Sequence, residues 1–195
     1  MFVVVGLGNP GARYRNTRHN VGVCCLEQLA AKLQTPKIEK WTNQHGAFIY
    51  KVNSYLPGVD LLLVRGDCYM NESGGPVSQI LNFYKIPPEQ LIVTHDDLDL
   101  APGRLKIKRG GSSGGHNGLS DIDEKIGSAE YFRIRIGIGH PRDSQTPEMP
   151  VKAWVLASAG SEDSSAIDSA ITRAVIGIET LIKEGLEPAQ SAINT

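Results

Sequence analysis

Val3-Val4-Val5-Gly6-Leu7-Gly8-Asn9-Pro10-Gly11 opens the chain, and Ala12-Arg13-Tyr14-Arg15-Asn16-Thr17-Arg18-His19-Asn20 follows directly. Val3–Leu7 is a short, β-branched apolar run of the kind that forms a buried strand. Gly6, Gly8 and Gly11 match G-x-G-x-x-G, the pattern in which a strand-to-helix turn cradles a pyrophosphate. The context does not suit a nucleotide. The motif should open a helix, yet the residues after it are polar and unpatterned. A ribose-binding acid should end a second strand ~20 residues further on. At that place Gly22, Leu26, Leu29, Ala30 and Leu33 recur at helical spacing, so 20–34 reads as a helix with Glu27 inside it. Two readings remain for the loop: a tight turn that needs glycine backbone freedom, or a loop that presents the Asn9 amide to a ligand.

Further along, 46–52 and 60–64 read as two strands joined by a turn at Pro57-Gly58. Val77, Ile80, Leu81 and Tyr84 mark a helix that stops near Pro87-Pro88. Leu91–Thr94 reads as another buried strand. Leu105 and Ile107 alternate with Arg104, Lys106 and Lys108, while Phe132, Ile134, Ile136 and Ile138 alternate with Arg133 and Arg135. Both stretches read as strands with one apolar and one basic face. Leu119, Ile122 and Ile126 mark a short helix between them, and 167–182 a long C-terminal one. The loop 139–149 is long and polar and reads as a mobile segment near a site. Strands and helices alternate throughout, which predicts a single α/β domain over 1–195, with a mixed central β-sheet and helices on both faces.

At 195 residues and 41% apolar composition the chain can bury a core, which excludes a disordered protein. Twenty Lys and Arg against 21 Asp and Glu give a net charge of −1, which excludes a uniformly basic nucleic-acid coat but leaves room for a local basic patch. Leu105–Asn117 carries no acid at all. Aromatic residues are 6% of the chain and form no stacking platform. Cys24, Cys25 and Cys68 are odd in number and lack a C-x-x-C, arguing against a disulfide framework or zinc finger and for a reducing cytoplasm. No apolar run approaches the ~20 residues of a membrane span, and the apolar start lacks a basic leader, so no membrane partner is expected.

Four further stretches carry chemistry. His19 lies in a loop before a helix, where the helix N-terminus and Arg13, Arg15 and Arg18 favour a neutral imidazole, the form a general base needs. His95-Asp96-Asp97-Leu98-Asp99 follows a strand, at the end of a sheet where ligands bind. It reads as a polar turn, as a divalent-metal site, or as an acid that orients a histidine. The loop Gly110–Gly118 is no P-loop, yet it leads into a helix start and ends on His116-Asn117. Cys68, ahead of Tyr69-Met70-Asn71, reads as a thiol nucleophile or a buried thiol, and Asn71 as a helix cap.

Taken together, VGLGNPGARYRNTRHNVG (5–22), YMNESG (69–74), HDDLDL (95–100), GGHNGL (114–119) and FRIRIGIGHP (132–141) resemble bacterial-type peptidyl-tRNA hydrolases. The resemblance implies hydrolysis of the ester joining a peptide to the 3′ ribose of tRNA, by a cytoplasmic monomer with no metal or cofactor. It implies that His19 activates water, Asp96 orients His19, and Asn117 holds the water. It implies that Asn9, Tyr14, Asn20, Tyr69, Asn71 and His116 contact the peptide part, and that Lys106, Lys108 and Arg135 grip tRNA phosphates. This chain departs from the family in Val64–Cys68, in Ser112-Ser113, and in a C-terminal helix with few basic residues. An RNA-binding relative without hydrolysis, like the splicing cofactors of plant organelles, is the other reading.

Overall fold

The computed structural model describes residues 1–194. It is a single α/β domain built on a seven-stranded mixed sheet. The strands are β1 (Phe2–Gly6), β2 (Thr42–Gln44), β3 (Ala47–Leu56), β4 (Val59–Gly66), β5 (Leu91–Asp97), β6 (Leu105–Arg109) and β7 (Phe132–Gly137). The helices are α1 (Val21–Lys32), α2 (Gly74–Tyr84), α3 (Asn117–Ile126), α4 (Val151–Val155), α5 (Ser161–Glu184) and α6 (Leu186–Ile193). The sheet order is β2-β3-β4-β1-β5-β7-β6. The centre, β4-β1-β5-β7, is parallel, and β3, β2 and β6 add antiparallel edges.

Helices cover both faces, as the alternating sequence predicts. Val4, Ile92, Ile134 and Ile136 meet α1 and α5 on one side. Val3, Val5, Val93 and Leu62 meet α2 and α3 on the other. Alternate residues of β1 therefore enter opposite cores, which is why the strand is apolar at every position. Among the described residues no helix is long and apolar enough to cross a membrane.

The structure revises several expectations. The structure adds three short elements beyond the sequence reading: β2 is a three-residue polar edge, α4 a single turn, and α6 follows α5 after only Gly185. α2 ends at Lys85, in the left-handed region at φ 54°, ahead of the two prolines. Strand β5 runs on through His95, Asp96 and Asp97, so these are strand residues and not a turn. Arg133 is no solvated basic residue. It is 1% exposed, donates to Ser112 O at 2.6 Å, pairs with Asp123 at 3.2 Å and lies over the Tyr131 ring. The glycine loop and α3 fold over β7 and bury it.

The glycine pattern at the start serves close packing. Gly6 and Gly8 do not have positive φ; only Gly11 does, at 96°. A Cβ on Gly6 would stand 2.7 Å from Gly22 O and 2.8 Å from Leu26 Cβ, and one on Gly8 would meet Val23 and Asn20. One on Gly22 would overlap Thr94 O and reach Leu7 O at 2.7 Å. Thus α1 crosses the ends of β1 and β5 at backbone contact, and this brings the loop before it over the sheet. Gly22→Ala has no flexible neighbour to displace, and we expect it to destabilise the fold by about 3 kcal/mol, read as a lowered urea midpoint with an unchanged slope.

Candidate active site

The parallel strands end on one side of the molecule. The loops leaving β1, β4, β5 and β7 surround a cleft of about 820 Å³ there, within the size range of small-molecule sites. Four segments bring side chains to its floor: Asn9 after β1, His19 before α1, Asp96 at the end of β5, and His116-Asn117 at the start of α3. Asn71, in the turn before α2, stands at its rim.

Asp96 is 3% exposed, and its Oδ1 accepts two hydrogen bonds, from His19 Nδ1 at 2.8 Å and from His116 Nε2 at 2.9 Å. Burial by itself would raise its carboxyl. The electrostatic pull of the His116 and His19 rings and the hydrogen bonds from both outweigh it and hold the group well below the usual carboxylate range. The carboxylate is therefore an acceptor only, and both ring nitrogens facing it carry protons. For His19 this fixes the tautomer: Nδ1–H points at Asp96, and the Nε2 lone pair is left for the cleft.

His116 is fully engaged. Its Nδ1 accepts the Leu119 N–H at 3.3 Å while its Nε2–H goes to Asp96. It caps α3 and holds Asp96, and no ring nitrogen is free for a peptide. His95 donates Nδ1–H to the Asp96 carbonyl at 2.7 Å, and its buried Nε2 has no partner. Burial, and then the neighbouring His116, push its pKa down to about 3, so it stays neutral near pH 7.

The amides fall into two groups. Asn9 Oδ1 accepts the Met70 N–H at 2.8 Å, which ties the first loop to the Tyr69–Asn71 turn and leaves the Nδ2 donor of Asn9 to the cleft. Asn20 lies behind it. Its Oδ1 accepts the Asn9 N–H at 2.9 Å and its Nδ2 donates to Asn9 O at 3.0 Å, so Asn20 positions Asn9 and does not line the cleft. Asn71 and Asn117 are exposed in the cleft with unpaired side chains, so Asn71 is not a cap. Tyr14 and Tyr69 meet edge to face, centroids 6.4 Å apart, at one mouth.

The divalent-metal reading finds no converging carboxylates. Asp97 pairs with Arg135 at 2.7 Å, and Asp99 lies at the surface beside Arg142 at 3.7 Å. His19, Asp96 and His116 place one donor atom each within 4.8 Å. In the arrangement seen, these donor atoms are engaged with one another in hydrogen bonds. Cys68 does not suit the nucleophile reading either, because burial and the nearby Glu72 and Asp121 push its thiol up to about 11.

A family model described as peptidyl-tRNA hydrolase matches residues 3–195. The chain belongs to the peptidyl-tRNA hydrolase family. It is 38% identical over 194 residues to the peptidyl-tRNA hydrolase of Mycolicibacterium smegmatis, covering 99% of this chain and 97% of that one. It is 40% identical over 187 residues to that of Neisseria gonorrhoeae, covering 96% and 93%. The crystal structure of peptidyl-tRNA hydrolase from Acinetobacter baumannii superimposes with a TM-score of 0.87 at 38% identity, covering 100% of this chain and 95% of that chain. Membership makes the chain an enzyme of the peptidyl-tRNA hydrolase class, and His19, Asp96 and His116 form a group consistent with its catalytic site.

Of the basic residues, Lys108, Arg133, Arg135, Arg142 and Lys152 line this hydrolase cleft, while Lys106 stands outside it on the exposed face of β6. Burial, and then Arg135 and Arg133, lower the Lys108 pKa. The cleft wall contributed by Val151, Lys152, Val155 and Leu156 escaped the sequence reading. Its signal was Pro150 followed by apolar residues at 151, 154 and 155, a helix start spaced for one face. Asp96→Asn is expected to lower turnover, because a neutral amide is a weaker acceptor for the two ring N–H groups than the carboxylate it replaces. A stopped assay of peptidyl-tRNA cleavage reads the loss.

Proposed function

We propose that His19 is the general base of peptidyl-tRNA hydrolysis in this chain. The observation that carries the reading is the buried His19 Nδ1···Asp96 Oδ1 bond of 2.8 Å, which leaves Nε2 basic and facing the cleft. Nε2 takes a proton from water as the water oxygen attacks the ester carbonyl. The protonated ring, steadied by Asp96, then gives that proton to the departing 3′ ribose oxygen. The products are the peptide acid and free tRNA, and no metal or cofactor enters any step. Asn117 holds the water, and the Nδ2 of Asn9 together with Asn71 supplies donors to the carbonyl oxygen as its charge grows. Tyr14 and Tyr69 flank the peptide at the mouth.

The working unit in this reading is a monomer that acts in the cytoplasm, where its substrate arises. A non-hydrolytic RNA-binding relative would have no use for a histidine whose tautomer is set toward an open cleft. His19→Ala is expected to reduce kcat by about 10²–10⁴-fold while tRNA binding and the melting temperature stay near the parent's. Turnover within a few-fold of the parent would remove the base from His19.

The phosphate grip is proposed for Lys108 and Arg135, with Lys106 beside them. Lys106 pairs in register with Arg135, and Lys108 with Arg133, so the cations share one face of the sheet edge. Arg135 already donates Nε to Asp97 at 2.7 Å, whereas Lys108 has no carboxylate in contact. Lys108 is therefore the stronger grip. Lys108→Ala should raise KM for peptidyl-tRNA and leave kcat nearly unchanged. It should also flatten the log–log salt dependence of binding by about 0.7–0.9. A peptidyl-nucleoside ester, which lacks the distant phosphates, should be cleaved as before; equal loss on both substrates would place Lys108 in the catalytic step.

A further inference from the structure

The residue before the base is held more elaborately than the fold requires. Arg18 is 6% exposed and lies outside the cleft. One guanidinium nitrogen, Nη1, faces three backbone carbonyls: Ser158 O at 2.9 Å, Ala157 O at 3.4 Å and Trp154 O at 3.5 Å. The guanidinium carbon stacks 3.7 Å above the Trp154 ring centroid, and Nη2 stands 3.9 Å from Asp163. Trp154 in turn donates its indole N–H to Gly139 O at 2.9 Å, on the loop that leaves β7. The backbone repeats the attachment: Arg18 N–H donates to Ala157 O at 3.1 Å, and Thr17 bridges Ser158.

These contacts join two parts of the site. Helix α4 has five residues, too few to persist without outside support. Its C-terminal carbonyls are where a cation both completes hydrogen bonds and meets the negative end of the helix. Arg18 reaches the Trp154 carbonyl of α4 and the Ala157 and Ser158 carbonyls just beyond its end, and α4 with its cap Leu156 forms the cleft wall of Val151, Lys152, Val155 and Leu156. On its other side His19 is followed by Asn20, whose amide clamps the Asn9 backbone. The base thus sits between two fastened neighbours. The Asp96 bond fixes one end of the imidazole, and Arg18 and Asn20 fix the Cα from which it hangs.

We propose that Arg18 is a positioning residue: by fastening the His19 turn to α4 it sets the His19 ring to take the proton of the attacking water and keeps the α4 wall at the matching distance. The proposal rests on the reading of His19 as the base. A planar fork stacked on an indole is what the site uses, and a lysine cannot reproduce it. A displacement of about 1 Å at a reacting group costs on the order of 10²-fold in rate.

The test compares Arg18→Met, Arg18→Lys and Trp154→Leu with the parent and with His19→Ala. It reads kcat and KM on peptidyl-tRNA and the NMR signal of the His19 Nδ1–H proton. Arg18→Met keeps the stem on Trp154 and loses the fork; kcat should fall about 10–100-fold with KM within about threefold, and the Nδ1–H signal should shift or vanish through faster exchange. Arg18→Lys keeps the charge and should remain about tenfold below the parent. Trp154→Leu leaves Arg18 in place, should lower kcat about tenfold with the same change in the proton signal, and carries the test if Arg18→Met does not fold. A folded Arg18→Met or Trp154→Leu protein with kcat within about twofold of the parent and an unchanged His19 signal overturns the proposal. If that occurs while His19→Ala is inactive, the positioning role alone falls. Retained turnover in His19→Ala removes the base, and the positioning role with it.

Discussion

A single carboxylate oxygen, Asp96 Oδ1, receives N–H groups from two histidines that reach it from different parts of the chain. Burying a charge is costly unless it is paired and hydrogen-bonded. Here the two charge-assisted bonds do that, and they are the reason the carboxyl stays ionised at 3% exposure. The same bonds fix the tautomers of both rings. They also join β5 to the loop before α1 and to the first turn of α3, so one buried charge holds the floor of the cleft together. His116 caps α3 with one nitrogen and holds the acid with the other.

The approach of those loops depends on missing side chains. Gly6, Gly8 and Gly22 let α1 rest on the ends of β1 and β5 at backbone distance. Asn20 can then clamp Asn9, and Asn9 can hold Met70, a relay of backbone-to-amide bonds running from α1 through the first loop to the turn before α2. A glycine pattern that elsewhere admits a pyrophosphate here admits a helix, and the ligand-facing groups are the amides it brings forward.

Charge is arranged locally. With a net charge of −1 the molecule has no general attraction for RNA, yet β6 and β7 present Lys106, Lys108 and Arg135 at one edge of the sheet. Arg133 is withdrawn from that set by Asp123, and Arg135 is half committed to Asp97. The long helix α5 adds little: Arg173 turns inward to Gly103 O, and Lys32 of α1 covers Glu179.

The sequence by itself determined the α/β class, the strand-and-helix order along most of the chain, and the segments that carry chemistry. Those properties are local. Apolar period, glycine placement and the neighbours of His19, Asp96 and His116 are all written within a few residues. What a side chain does once folded is a contact between distant segments, and there only the tertiary structure decided. Arg133 and Arg135 follow the same alternation, but one is buried against Asp123 of α3 and the other stays partly exposed beside Asp97. Asn9 and Asn20 are both amides near His19, but the crossing of α1 puts one in the cleft and the other behind it. His95, His116 and His19 are alike on paper; the partners of their ring nitrogens, set by β5 and the start of α3, make one a buried neutral ring, one a holder of the acid, and one the ring whose Nε2 is left to the cleft. Helix α4 and Arg18 became readable only together, because a single turn of helix has no stability that its own sequence can show, and what holds it comes from a residue far earlier in the chain.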